Sequence, residues 1–351
     1  RSDIILLPWN WIRALNLQGK TCANWKVIRC KTMIEAKNLT KTFGENLAVD
    51  DVSFYVKKGD VLGFLGPNGA GKSTTMRMIT GFFPPTSGTA TIGGSDILQD
   101  SLAARRKIGY LPENAPAYPD MTVVGFLDFV AGIRGLSGRR KKNRIEEIIE
   151  KCFLKEVRFQ TIQTLSKGFK QRVCFAQSIV HDPEYLIMDE PTDGLDPNQK
   201  HEVRTMIREM ARDKAIILST HILEEVEEVC SRAIIIAGGK IVADDTPMGL
   251  KARSPVHGTI CFTARKDSEK DLLTDTKTLP GILRVDMVEE SPTDVTIRIF
   301  PEDFFAFRPD AAFIALSERG YSIETFYVEQ GRLDEVFRMV TTAQSPEREI
   351  L

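Results

Sequence analysis

The stretch Gly66-Pro-Asn-Gly-Ala-Gly-Lys-Ser73 decides the fold of this chain. It matches the phosphate-loop pattern G-x-x-x-x-G-K-[ST] at every fixed position. The apolar run Asp60–Leu65 before it predicts a buried strand, and Thr74–Ile79 after it predicts the start of a helix. Because strand, glycine loop and helix in this order are the context that the pattern requires, we predict an α/β fold with a nucleotide-phosphate site at this loop.

The residue types in this loop suit a phosphate ligand. Glycines allow the backbone to wrap an anion with its N–H groups, and the free amides of a helix start favour the same anion. Lys72 is placed to reach the β- and γ-phosphates, and the Ser73 hydroxyl to hold Mg²⁺. The residues predicted to hold the nucleotide here are Gly66, Pro67, Asn68, Gly69, Ala70, Gly71, Lys72, Ser73 and Thr74. The alternative is a glycine-rich turn that binds no ligand.

The composition is typical of a globular protein without a strong net charge. The 351 residues suggest two domains, and the formal net charge of −1 gives no basic field, so we expect no nucleic-acid partner. No uninterrupted apolar run approaches the roughly 18–20 residues of a membrane span, so we expect any membrane role to need another subunit. Six scattered cysteines without a C-x-x-C pair predict reduced thiols in a cytosolic protein.

A second chemical signal is the apolar strand Tyr185-Leu-Ile-Met-Asp-Glu190, which ends in two acids. A carboxylate at the carboxyl end of a strand beside a phosphate loop is where Mg²⁺ is held, usually through water, and Asp189 fits that role. Glu190 could orient and deprotonate an attacking water. The alternative is that both acids merely end a strand.

Two further segments are candidates for ligand contact. Leu165–Arg172 begins a helix that Ser166 can cap, and the free N–H groups at its start offer a second anion site. Phe43 lies in the predicted turn Lys41–Gly44, where its ring could stack on a base. A loop phenylalanine is more often a plug in the core.

The order of predicted elements divides the chain. Buried strands alternate with helices over residues 33–250, which predicts a mainly parallel sheet covered on both faces, with a helical subdomain at about 95–180. Residues 251–345 predict a small α+β domain with a ferredoxin-like order of elements, in which we find no catalytic constellation. Residues 346–351 are a polar tail.

The first 32 residues differ in composition from the rest, with three tryptophans and six basic residues against one acid. We expect either that the natural start is Met33 or that residues 1–32 form a poorly ordered extension. The alternative is a basic arm that lies on a membrane surface.

Five segments together resemble the ATP-binding subunits of ABC transporters, in order and in spacing. They are Gly66–Ser73, Leu165-Ser-Lys-Gly-Phe-Lys-Gln171, Leu186–Glu190, Asp193-Gly-Leu-Asp196 and His221. The resemblance covers about residues 33–250 and implies a P-loop NTPase fold of ABC type, with a mixed sheet core. The C-terminal part, including Arg332–Phe337, resembles the extension of ATPase subunits in the type-2 exporter class.

The resemblance also implies roles for single residues. Phe43 would stack on adenine, Lys72 would act on the phosphates during catalysis, and Ser73 and Asp189 would hold Mg²⁺. Glu190 would be the general base, and His221 would contact the γ-phosphate. Ser166 and Gly168 would contact ATP that is bound to another subunit, and Asp196 would link the two sites.

At the level of the assembly, the resemblance implies a head-to-tail homodimer, or a dimer with a close paralogue, that holds two ATP molecules with Mg²⁺. ATP binding would close this dimer, and hydrolysis would reopen it. A separate polytopic membrane subunit would convert that motion into export, which would place this chain peripherally at the cytoplasmic face of the cell membrane. The alternatives are a soluble ABC-type ATPase with a regulatory or mechanical role, and an importer subunit.

Several positions depart from the family pattern. Glu113 stands where the family usually has Gln, which approaches Mg²⁺ and contacts the membrane subunit; Glu keeps an oxygen ligand but adds a negative charge. Lys167 replaces the first Gly of the signature pair, Phe169 replaces its Gln, and Asp193 replaces a common Ser. We still expect an active ATPase, because Ser166 and Gly168 are retained.

Overall fold

The computed structural model describes residues 33–113, 117–266, 271–304 and 306–342. The predictions made for residues 1–32 and for the tail 346–351 lie outside these ranges. The strands are β1 (Met33–Phe43), β2 (Asn46–Lys57), β3 (Val61–Leu65), β4 (Ser87–Ile92), β5 (Ser95–Asp96), β6 (Ile108–Leu111), β7 (Tyr185–Asp189), β8 (Ala215–Thr220), β9 (Arg232–Ala237), β10 (Lys240–Asp245), β11 (Ile260–Arg265), β12 (Ile282–Glu290), β13 (Asp294–Pro301) and β14 (Ile323–Val328). The helices are α1 (Lys72–Ile79), α2 (Ser101–Arg106), α3 (Val123–Ile133), α4 (Gly138–Lys151), α5 (Lys167–Ile179), α6 (Pro197–Ala211), α7 (Leu223–Val229), α8 (Pro247–Lys251), α9 (Leu272–Lys277), α10 (Pro309–Glu318) and α11 (Leu333–Thr342).

A six-stranded sheet in the order β10-β9-β3-β8-β7-β6 forms the centre of the fold. Its strands run parallel except for β10, which pairs antiparallel with β9. All residues of β3, β7 and β8 are buried, as expected for strands with continuous apolar sequence that are covered on both faces. The register places Leu65 opposite Thr220 and Asp189 opposite Ser219. The predicted mixed sheet is confirmed, and the carboxyl ends of three strands meet at one edge.

A second, antiparallel sheet in the order β2-β1-β4-β5 covers one side of this centre. Its buried side chains form one apolar cluster with those of α1 and of the central sheet, where Phe54 packs against Phe64 at 4.8 Å between ring centroids. Helices α3, α4 and α5 contribute to a second cluster on the opposite face of the central sheet. Strand β6, although it falls within the predicted range of the helical subdomain, pairs with β7 in the central sheet.

The C-terminal part forms a third sheet in the order β12-β13-β11-β14, in which every pairing is antiparallel. The chain order from β11 to β14 is β-α-β-β-α-β, which is the ferredoxin-like arrangement. Helix α11 closes back on the preceding part, because Leu333 belongs to the same buried cluster as Ile235 and Leu250. The last helix is therefore packed against the part of the fold that contains the central sheet.

One detail differs from the sequence predictions. Phe43 is the last residue of β1 and is paired with Asn46 of β2, so it does not lie in a turn. Helix α4 begins at Gly138 and includes the basic run 139–144. Helix α9 follows Asp271, whose side chain accepts a hydrogen bond from Thr274 N. None of the helices in the four described ranges is long and apolar enough to cross a membrane.

Candidate nucleotide-phosphate site

The phosphate loop connects the end of β3 to the first residue of α1, as the sequence predicts. Gly71 has a φ of 105°, a left-handed conformation that side chains disfavour. A Cβ at Gly71 would lie 2.6 Å from the carbonyl oxygen of Ala48, and a Cβ at Gly66 would lie 2.4 Å from that of Ile236. Close packing against neighbouring backbone therefore requires glycine at both ends of the loop.

The loop forms one wall of a cleft of about 410 Å³ at the carboxyl edge of the central sheet. The cleft is lined by Ala48, Asn68, Gly69, Ala70, Gly71, Lys72, Ser73, Thr74, Glu113, Glu190, Asp193 and His221. Most of the predicted site residues are thus brought together. Ala48 was not predicted, because nothing in the local sequence shows that β2 reaches the loop, and Asp193 was noted only as a departure from the family pattern.

Lys72 places a cation inside the loop. Its side chain is buried, and Nζ donates to the carbonyl oxygens of Gly66 at 2.6 Å and of Pro67 at 3.2 Å. Burial lowers the pKa of Lys72, while the carboxylates of Glu190, Asp189 and Glu113 act to raise it. The charge of Lys72 is therefore balanced by acids of the same cleft and is placed where phosphate would bind.

Asp189 has the surroundings of a metal ligand. The residue is fully buried, and Oδ1 accepts hydrogen bonds from Ser73 Oγ at 3.1 Å and from Ser219 Oγ. Its other oxygen, Oδ2, is buried and has no hydrogen-bond partner among the described residues, which costs on the order of 1–3 kcal/mol in a protein interior. A hard cation such as Mg²⁺, which binds oxygen ligands, would satisfy this atom.

The predicted metal ligands Ser73, Glu113 and Asp189 fit an ion that takes some of its ligands from the protein and the others from phosphate and water. In the part of the chain that the structure describes, no group of three or more His, Cys, Asp or Glu side chains could hold a metal ion by itself. Mg²⁺ usually binds through one or two carboxylates together with phosphate oxygens and water. Ser73 and Glu113 line the cleft beside the phosphate loop, so the oxygen donors suit such a shared site.

Glu190 and His221 form a pair at the mouth of the cleft, with 3.0 Å between Glu190 Oε2 and His221 Nδ1. Glu190 has a φ of 50°, a left-handed conformation that is uncommon for a residue with a side chain. Burial raises the pKa of Glu190, and the hydrogen bond from His221 opposes that rise. A carboxylate with a raised pKa that is held by an imidazole is suited to accept a proton from water.

The remaining predicted residues do not line this cleft. Phe43 is half exposed, with Phe83 at 5.6 Å between ring centroids. Ser166 caps α5 by accepting from Phe169 N at 3.4 Å. Phe43 and Ser166 are therefore not among the residues that line this cleft.

Gly168 and Asp196 both lie next to Gln199, a residue that the sequence analysis did not single out. Asp196 caps α6 and accepts a hydrogen bond from Gln199 N at 2.9 Å. A Cβ at Gly168 would lie 2.5 Å from Gln199 Oε1, so the Gln199 side chain would have to move if Gly168 were replaced. No local pattern marks Gln199, because its contact depends on how α5 and α6 pack.

Known proteins resemble this chain in sequence and in fold. A sequence profile described as "ABC transporter" matches residues 49–193. The chain is 41% identical over 225 residues to the probable multidrug ABC transporter ATP-binding protein YbhF of Escherichia coli K12, covering 64% of this chain and 39% of that protein. It is 38% identical over 220 residues to the Nod factor export ATP-binding protein I of Paraburkholderia xenovorans LB400, covering 62% of this chain and 72% of that relative. The dimeric structure of the bacterial ABC transporter cassette MJ0796 superposes with a TM-score of 0.57 at 25% identity, covering 61% of this chain and 98% of the cassette.

Proposed function

Because this chain belongs to the ABC transporter family, among its ATP-binding proteins, we propose that it binds and hydrolyses ATP to power export through a separate membrane partner. The observation that carries this proposal is the meeting of three features in one cleft. They are the buried Lys72 in the phosphate loop, the Oδ2 of Asp189 that lacks a hydrogen-bond partner within the described ranges, and the pair formed by Glu190 and His221.

Binding depends on the loop and the residues that face it. The backbone N–H groups of the loop and Nζ of Lys72 bind the β- and γ-phosphates of ATP. Ser73, Asp189 and Glu113 would hold Mg²⁺, which neutralises negative charge on the phosphates when it is bound. Phe43, half exposed at the end of β1, offers a ring face to the adenine.

Hydrolysis depends on Glu190. Its carboxylate orients a water whose oxygen attacks the γ-phosphorus, and the bond from that phosphorus to the bridging oxygen of ADP breaks. The proton of the water passes to Glu190, whose raised pKa favours its acceptance. His221 holds the carboxylate through Nδ1 and contacts the γ-phosphate.

A second copy, or a close paralogue, completes the site. Ser166, Gly168 and Asp196 lie outside the cleft of their own chain, which supports a role at the ATP of a partner. The MJ0796 cassette, which is similar over 61% of this chain, was solved as a dimer. ATP favours the closed dimer only as far as it binds that state more tightly than the open one.

The membrane partner has a suitable surface on this chain. A groove of about 760 Å³ lies between the end of α1, α2 and the end of α3. Phe82, Leu102 and Ile133 expose large apolar side chains there, next to Arg105 and Arg134. An exposed apolar patch rimmed by cations fits an apolar segment of a partner. Docking at this groove would place the chain peripherally at the cytoplasmic face of the membrane.

Export, as opposed to import, is supported by relatives. One similar protein is named for Nod factor export, and another for probable multidrug transport. The order of the C-terminal elements, in which helices alternate with strands, is unlike a barrel and so favours the type-2 exporter class over an importer subunit.

Two experiments test the proposal. Purified chain should hydrolyse ATP, Lys72→Ala should lose ATP binding, and Glu190→Gln should bind ATP without turnover; equal turnover by wild type and Glu190→Gln would refute the assignment. Glu190→Gln with ATP should recover a polytopic membrane protein from solubilised membranes. Recovery should weaken in Leu102→Asp but not in Met248→Asp, a matched exposed position away from the groove. Recovery of ribosomal or DNA-associated proteins instead would favour the soluble alternative.

A further inference from the structure

The buried carboxylate of Glu225, in the first turn of α7, connects two segments of the site. Its Oε1 accepts a hydrogen bond from Thr192 Oγ1, and its Oε2 accepts one from Thr220 Oγ1 at 2.7 Å. Glu225, Thr192 and Thr220 are each at most 2% exposed. Thr192 follows Glu190 by two residues, and Thr220 directly precedes His221. One side chain thus bridges the segments that carry the two residues of the catalytic pair.

These two segments need such a connection, because the pairing between β7 and β8 ends before it reaches Glu190 and His221. Strands β7 and β8 pair as far as Asp189 and Ser219, and the last backbone contact is Glu190 N to Ser219 O at 3.1 Å. Glu190, which follows this contact, has its uncommon φ of 50°. The His221 side chain is 55% exposed, so packing against neighbouring side chains does not fix its position.

We propose that Glu225 is a positioning residue that sets the distance between Glu190 and His221. This inference rests on the proposed ATP hydrolysis. A carboxylate accepts at both oxygens, so it can take one hydroxyl from each segment at the same time. Displacement of a catalytic group by about 1 Å can lower a rate roughly 100-fold, so a connection of this kind has a measurable effect.

The charge of Glu225 is balanced from α6. Arg204, also buried, places Nη2 at 3.9 Å from Glu225 Oε1 and Nη1 at 3.0 Å from Glu228 Oε1. Glu228 shares the arginine and the helix with Glu225 but is half exposed, and it pairs with Arg204 without contacting either threonine. Glu228→Gln is therefore a control for loss of one carboxylate on the same helix.

The test compares ATP hydrolysis by Glu225→Gln with that of the Glu228→Gln control. Gln has the same shape as Glu, but its amide N–H₂ replaces one carboxylate oxygen. The threonine hydroxyl that faces this group would then have to accept a hydrogen bond instead of donating one. We expect kcat to fall by roughly 10-fold or more while KM for ATP stays within about twofold, since the phosphate loop is untouched. Thr192→Val and Thr220→Val, which each remove one hydroxyl at constant shape, should each lower kcat, and Glu228→Gln should not.

A double-mutant cycle tests the positioning role directly. If Glu225 acts through the pair, His221→Ala should lower kcat less in the Glu225→Gln background than in wild type. Full additivity, or wild-type kcat in Glu225→Gln, would overturn the inference. If Glu225→Gln does not fold, the variants Thr192→Val and Thr220→Val still test the inference, because each removes one of the two hydrogen bonds to Glu225.

Amide hydrogen exchange without ATP separates this inference from the proposed function. Exchange in residues 190–196 and 219–224 should be faster in Glu225→Gln than in Glu228→Gln. Absence of ATPase activity in wild type would refute the proposed function alone, and the exchange data would still decide whether Glu225 ties the two segments. Unchanged exchange in both segments would refute the connection even in an active enzyme.

Discussion

Lys167 Nζ lies 2.9 Å from Asp193 Oδ2, which joins the start of α5 to the turn that follows Glu190. Lys167 and Asp193 both stand where the resembling family has small uncharged residues, so two departures from the pattern meet in one ion pair. Gly194 makes room for the lysine, because a Cβ there would lie 2.3 Å from Lys167 Nζ. The hydrogen bond from Lys167 lowers the pKa of Asp193, so this residue of the cleft stays ionised.

This pair predicts a compensation between the two charges. Lys167→Ala should weaken ATP binding several-fold, because it leaves an unpaired carboxylate in the cleft that receives the triphosphate, and adding Asp193→Ser should restore most of the affinity. Both side chains are largely exposed, so the free energy of unfolding should change by less than about 1 kcal/mol. Titration with ATP and Mg²⁺ measures the effect, and Lys170→Ala, one turn further along α5, is the control. Equal affinities of the single and the double variant would contradict the compensation.

The pair of Glu190 and His221 predicts the pH dependence of turnover. In the proposed reaction Glu190 accepts a proton as a carboxylate, and burial raises its pKa, so kcat should fall on acidification at a higher pH than an ordinary glutamate would give. His221 opposes that rise, so His221→Ala should move the acidic limb to still higher pH while lowering kcat. The pH profile of kcat at saturating ATP measures both. An acidic limb that stays in place, or moves to lower pH, in His221→Ala would show that the imidazole does not act on this carboxylate.

Local sequence patterns predicted the parts of the site that follow directly on strands. The run up to Leu65 and the acids at Asp189 and Glu190 could be placed at one sheet edge, because buried parallel strands have a recognisable apolar pattern. The contacts of Glu225 could not be predicted, since they join side chains 33 and 5 residues apart whose meeting depends on how α7 packs. Sequence periodicity gives the face of an element but not its tertiary neighbours.

Glu113 predicts an altered response to magnesium. It lines the cleft beside the phosphate loop, where its carboxylate adds a negative charge that the usual Gln would not. Glu113→Gln should leave nucleotide binding intact but shift the Mg²⁺ concentration that gives half-maximal ATPase activity, or alter coupling to transport. Titrating Mg²⁺ at fixed ATP, together with a transport assay in membranes that contain the partner, measures both. An unchanged titration and an unchanged transport rate would rule out a role for the extra charge.

The closing helix α11 predicts that the C-terminal part contributes to the stability of the ATP-binding part. Leu333 is buried in a cluster with Ile235 and Leu250, although it lies beyond the third sheet in the chain. Leu333→Ala should therefore destabilise the fold by about 2–5 kcal/mol, the usual cost of removing a buried leucine side chain. Met339→Ala, at a half-exposed position of the same helix, should cost less than about 0.5 kcal/mol. Urea denaturation followed by circular dichroism, with and without ATP, measures the difference. Loss of this contact should lower the urea midpoint of both the third sheet and the ATP-binding part. If Leu333→Ala lowered the midpoint of the third sheet alone and ATP binding were lost at the same urea concentration as in wild type, α11 would not hold the two parts together.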